Sequence, residues 1–142
     1  MTAQAFTVLH LSFEKVVSGL LKAVPEFDPI YREHIKTYDE LLAHVLFESL
    51  QTFAERWAAK LDDVKNAGKA EDVLKRVFGF VEELVTSPDP LVNDLAVVSF
   101  LDLLLDSKSD AFWKLRRFLG PASREALHQY SQQLTRWGKD KP

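Results

Sequence analysis

Glu40, His44 and Glu48 recur at i, i+4 and i+8, so a helix through them would stack two carboxylates and an imidazole along one face. Carboxylate and imidazole are ordinary metal ligands. Metal centres inside helical bundles, however, take ligands from several facing helices, and the chain has no His-Glu-x-x-His signature. A solvated helix face with weak i,i+4 pairs needs no metal at all. A protein-binding face is the third reading, and two apolar neighbours favour it. Leu41 and Val45 would project from the polar side of the same helix, where a purely solvated surface has no use for them. A homodimer would suit that stripe equally.

Asp94, Val98 and Asp102 form a second constellation, within an arc of about 80° on a helix and continued by Asp106. The surrounding segment 89–106 is apolar almost all round, so its aspartates need solvent, a basic neighbour or a cation. Exposed, the stripe would mix acid and apolar groups as a patch for a basic protein does. The histidines, His10, His34, His44 and His128, fall on four different segments. Neither a Gly-x-Ser-x-Gly elbow nor a phosphate-cradling glycine loop is present, so no catalytic residue and no cofactor is expected.

Composition narrows the classes further. The 142 residues suffice for one domain with a real core, at 46% hydrophobic and 27% charged. Cysteine is absent, which removes disulfides, thiolate metal sites and a cysteine nucleophile, and suits a cytoplasmic setting. Net charge is −3 but uneven: residues 1–110 carry 11 Lys/Arg against 19 Asp/Glu, and residues 111–142 carry 7 against 2. An acidic body disfavours nucleic acid and favours a basic protein partner. The longest apolar run, Leu91–Leu105, is interrupted by Asn93, Asp94, Ser99 and Asp102, so no membrane span is expected. The basic, aromatic run Phe112–Leu119 reads as packing by Phe112, Trp113 and Leu119, with its cations answering the acidic body.

About seven helices must position these groups. Phe13, Val16, Val17, Leu20, Leu21 and Val24 share one face of the first helix, with Ser12 as N-cap and Pro25 as stop. Asp28-Pro29 opens a short helix to about Lys36, and Tyr38-Asp39-Glu40 starts a long one over 39–63. A fourth helix covers about 70–86. After the Ser87-Pro88-Asp89-Pro90 turn the fifth continues to about Asp106, apolar enough to be the wrapped centre of the domain. Asp110 caps a sixth, Gly120-Pro121 stops it, and Ser123 opens the last, carrying Leu127, Tyr130, Leu134 and Trp137. Alternation with period two is confined to a short stretch at Thr7–Leu11. The expectation is an all-α single domain over 1–137, a frayed tail at 138–142, and helices four and five as a central HEAT-like antiparallel pair.

Pro25-Glu26-Phe27, Tyr31-x-x-His34, Asp39-Glu40-Leu41-Leu42-x-His44-Val45-Leu46-Phe47, Val98-Ser99-Phe100-Leu101 and Leu119-Gly120-Pro121 together resemble a pattern of small helical bacterial proteins. Some of these resemble immunity proteins of polymorphic-toxin and contact-dependent inhibition systems. The resemblance spans about residues 20–130; position 43 is Ala where that pattern has proline. It implies a stoichiometric binder that occludes a basic toxin domain and has no catalysis of its own. The partner-binding residues expected on this view are Glu40, His44, Glu48, Asp94 and Asp102. A HEAT-like scaffold module in an intracellular assembly, or a metal-dependent helical enzyme using Glu40 and His44, are the other classes the residues allow.

Overall fold

Apolar side chains at helical spacing, punctuated by proline and glycine, produce seven α-helices and no strand among the described residues. The computed structural model describes residues 14–105 and 110–140, with backbone alone at positions 110, 112 and 137–140. In chain order the helices are α1 (14–23), α2 (Asp28–Tyr38), α3 (Ala43–Ala59), α4 (Ala67–Val85), α5 (Pro90–Ser99), α6 (Asp110–Arg116) and α7 (Pro121–Asp140). Single 3-10 turns at Pro25–Phe27 and Lys60–Asp62 and a longer 3-10 segment at Leu101–Leu105 join them. Expectations for His10, Ser12, Phe13, the Thr7–Leu11 alternation, Asp106 and the side chains of Asp110 and Phe112 lie outside the described residues.

The all-α, single-core expectation holds, but the helix at its centre is a different one. It is α4 that contributes the most buried side chains, Ala70, Val73, Leu74, Val77, Phe78, Phe80, Val81 and Leu84. Its Phe78 ring meets Phe100 at 5.4 Å and stacks on Phe118 at 6.0 Å. From α3, Leu46, Phe47, Leu50, Phe53, Ala54 and Ala58 enter the same core, and Phe53 meets Phe27 edge-on at 5.3 Å. The apolar α5 packs on α3, α4 and α7 through Val92, Leu95 and Ala96, and keeps one outward ridge of Leu91, Asp94 and Val98.

Several boundaries differ from expectation, and four of them have a plain local cause. Asp28 is the first residue of α2 rather than its cap. α2 ends at Asp39, which takes the left-handed conformation (φ 56°) and donates its N–H to the Ile35 carbonyl at 2.8 Å. α5 stops at Ser99 because Phe100 leaves helical geometry (φ −124°), and the Gln51 amide takes the Phe100 carbonyl at 3.0 Å. At the other end α7 runs to Asp140, past the expected stop at 137, since Gly138 merely weakens a helix that no proline interrupts. Asp89 caps α5 as its sequence predicts, accepting the Leu91 N–H at 2.9 Å.

Two polar devices fasten the bundle. Arg76 of α4 grips Glu26 through paired bonds of 2.8 and 2.7 Å, and also donates to Asp72 and the Ala23 carbonyl. That guanidinium holds the Glu26 carboxyl far below its ordinary value of 4.5, with Lys69 adding to the effect. A depressed folded value means the stabilisation is complete above pH 4.5 and drains as pH falls below it. Arg76→Leu should therefore cost about 1 kcal/mol at pH 7, since the pair is partly solvated, and cost progressively less in acid. Urea midpoints from pH 7 down to pH 3 measure this convergence.

The second device fastens α7 to α4. The Glu82 carboxylate accepts from the backbone N–H groups of Ala122 (3.2 Å) and Ser123 (2.6 Å) and from the Ser123 hydroxyl (3.0 Å). A helix N-terminus offers four unpaired N–H groups and a positive dipole end, so a carboxylate from a neighbouring helix is well placed there. Gly120 exists for this contact. A Cβ built on it would fall 1.8 Å from Glu82 Oε2, well inside any tolerable approach.

Candidate functional site

Of the three residues expected to form a ladder, two share a helix. α3 begins at Ala43, so His44 and Glu48 stand one turn apart on its exposed side, while Glu40 lies in the bend before it. The sequence suggested a start at Tyr38–Glu40, but two contacts forbid it. Asp39 has already closed α2, and the buried His34 side chain accepts the Leu42 N–H on Nε2 at 3.0 Å, pinning the connection in extended form. Leu41 consequently packs against the core instead of extending an exposed stripe with Val45. Among the described residues no group of three or more His, Cys, Asp or Glu is arranged to hold a metal ion.

His34 is the residue sequence inspection undervalued. Its ring lies tilted against Tyr38, at 4.9 Å between ring centroids, and burial pushes its imidazolium down from 6.5. Protonation would also turn its accepting nitrogen into a donor facing the Leu42 N–H. With the folded value lowered, its contribution is present above pH 6.5 and is lost as pH falls below that. His34→Ala should cost about 2 kcal/mol at pH 7.5, through an unpaired amide and a void, and should flatten the pH dependence between 6.5 and 5. Paired thermal melts of both proteins across that range check it.

His44 reaches from α3 to α5, where its Nδ1 hydrogen-bonds the buried Ser99 hydroxyl. This bond sets the first turn of α3 beside the C-terminal end of α5. Gln51, two turns further along α3, holds the Phe100 carbonyl just beyond. The outward ridge of α5 then runs from Leu91 through Asp94 to Val98, with Leu91 40% and Val98 45% exposed. Asp94 and Val98 also line a groove of about 340 Å³ against α7, walled opposite by Ala126, Gln129, Tyr130 and Gln133. Asn93 stiffens this region, donating its amide to the carbonyls of Leu84, Val85 and Ser87 at 2.9 to 3.1 Å.

Asp102 departs from the expected arc. Because α5 ends at Ser99, the 100° rotation per residue is lost and the 3-10 segment carries Asp102 to the Tyr130 hydroxyl of α7. Burial raises the Tyr130 phenol, and the hydrogen-bonded Asp102 charge raises it further. Asp102 is thus half-buried and engaged, a strut under the groove rather than an open contact. Trp113 also departs from its expected packing role. On the short α6, Ala111 and Leu115 face inward, and Trp113, between them, points out at 70% exposure. One cation of that helix does answer the acidic body, Lys114 pairing with Asp62. Glu125 and His128 on α7 have Glu-x-x-His spacing, but Gln129 and Gln132 respectively engage them.

What the helices assemble is an all-α domain whose α5 carries an exposed ridge of Leu91, Asp94 and Val98, with His44 and Glu48 exposed on the neighbouring α3. The chain belongs to the family described as a domain of unknown function (DUF7674), which its residues 17–136 match. No curated protein and no solved structure matches the chain. No described helix is long and apolar enough to cross a membrane.

Proposed function

We propose that this chain is a protein-binding domain of the immunity type, which neutralises a cognate basic toxin domain by covering it with the α3–α5 face. The observation that carries the proposal is the α5 ridge itself. Leu91 and Val98 leave apolar surface in water on either side of the exposed Asp94, above a groove that α7 completes. Aliphatic contacts of this kind supply binding energy when covered, and a carboxylate among them selects a basic partner. His44 and Glu48 extend the face along α3, and Glu40 stands at its edge with Asp39. Asp102 contributes by holding Tyr130, hence the far wall of the groove. The acidic balance of residues 1–110 adds long-range steering toward a cation-rich surface. A cysteine-free chain suits a reducing compartment, which supports a cytoplasmic encounter.

The test is affinity capture from the native host, with bound protein identified by mass spectrometry. Support requires a basic domain held at one-to-one ratio by the wild type and released by Asp94→Lys. Capture of an acidic protein, or of a multi-subunit assembly that Asp94→Lys leaves intact, contradicts the proposal.

A further inference from the structure

The opposite charge gathers on another side of the molecule. Arg116 at the end of α6 and Arg124 and His128 on α7 line one cavity of about 220 Å³, whose remaining walls are mainly Leu105, Leu119 and Leu127. Arg124 is fixed there by its Nε–H, which donates to the Leu119 carbonyl at 3.3 Å. Its two terminal nitrogens have no partner among the described residues. The His128 ring shares a 3.2 Å contact with the Gln132 amide through Nε2; with that amide donating, Nδ1–H is the ring's remaining donor. No acidic residue among the described residues lines the cavity. The nearest in sequence, Glu125, accepts from Gln129 instead. Residues 111–142, which supply most of the lining, carry 7 Lys/Arg against 2 Asp/Glu.

We infer that this cavity binds a small organic anion, a carboxylate or phosphate monoester carried on an apolar body. A guanidinium presents parallel N–H donors that match two oxygens of such a group, and neighbouring cations add charge assistance. Leucine walls exclude water behind the head group and cover the apolar part of the ligand. The space, about 220 Å³ and open to solvent on one side, admits a ring or short chain beside the head group. The inference is independent of the toxin-binding face, since it uses none of those residues.

The probes are benzoate and phenyl phosphate, with benzyl alcohol and inorganic phosphate as partial ligands. Each is titrated into the full chain while amide and methyl NMR shifts are followed. Saturable shifts at Leu105, Leu119, Leu127 and His128 are expected with benzoate or phenyl phosphate, and whichever binds more tightly identifies the head group. Benzyl alcohol and inorganic phosphate should each bind at least tenfold more weakly. Arg124→Gln, at an exposed position, should weaken binding at least tenfold while amide shifts away from the cavity stay as in the wild type, and Arg116→Gln likewise. Shifts scattered over the surface, equal binding of the neutral alcohol, or unchanged affinity in both variants would overturn the assignment.

Discussion

Replacing Glu82 by Ala should lower stability by about 3 kcal/mol, one of the largest effects expected from any single polar side chain here. The substitution strips the partner from two backbone N–H groups and one hydroxyl, and the Ser123 side chain is fully buried. Water reaches such groups poorly, so most of the desolvation cost remains. Melting should fall by roughly 10 °C for a domain of this size. Gly120→Ala should do comparable damage from the other side, because its new Cβ must displace the same carboxylate. The two losses should not add. In the Glu82→Ala background the carboxylate is gone, and Gly120→Ala should cost less than about 1 kcal/mol. Chemical denaturation of the four proteins closes this cycle. Additive losses would mean that the Glu82 contact contributes little.

Asp94→Lys should raise the dissociation constant of the captured partner about 100-fold or more, while leaving the melting temperature within about 2 °C. The position is exposed on α5 and no core residue depends on it, so a loss of binding would not report unfolding. Reversing charge at the centre of an apolar-flanked patch replaces attraction by repulsion where water is excluded. Glu48→Lys, nearer the rim, should act chiefly on the association rate and fade at high salt. Asp102→Asn should weaken binding less than Asp94→Lys, and do so through Tyr130 instead of direct contact. Surface plasmon resonance at two ionic strengths separates these three behaviours.

The helical class and most of the core were legible from spacing alone. Leu46, Leu50 and Phe53 of α3 and Val73, Leu74, Val77, Phe78, Val81 and Leu84 of α4 recur at the three- and four-residue steps of one helix face, and all are buried. Helix ends were less legible, because side chains distant in sequence decide them. The N-terminus of α3 is set by His34 eight residues earlier, and the end of α5 by Gln51 from another helix. Both interactions form only after the helices pack. The same cause divides the expected site. His44, Glu48 and Asp94 fall on exposed ridges of α3 and α5 as spacing implies, because each sits inside its helix. Glu40 and Asp102 sit just beyond helix ends, where the 100° rotation no longer applies, and both left the expected arcs. The apolar character of α5 also misled, since it signalled complete enclosure while Leu91 and Val98 remain in solvent. These two side chains are the apolar surface that the proposed partner would cover.

Hydrogen exchange of the chain, alone and bound to the captured basic domain, tests the central claim most directly. The amides of α5 from Leu91 to Ser99 and of the first two turns of α3 should slow at least tenfold on binding, with α2 and the α6–α7 cavity unchanged. Protection confined to α2, α6 or the outer face of α7, with α5 exchanging as in the free chain, would contradict it.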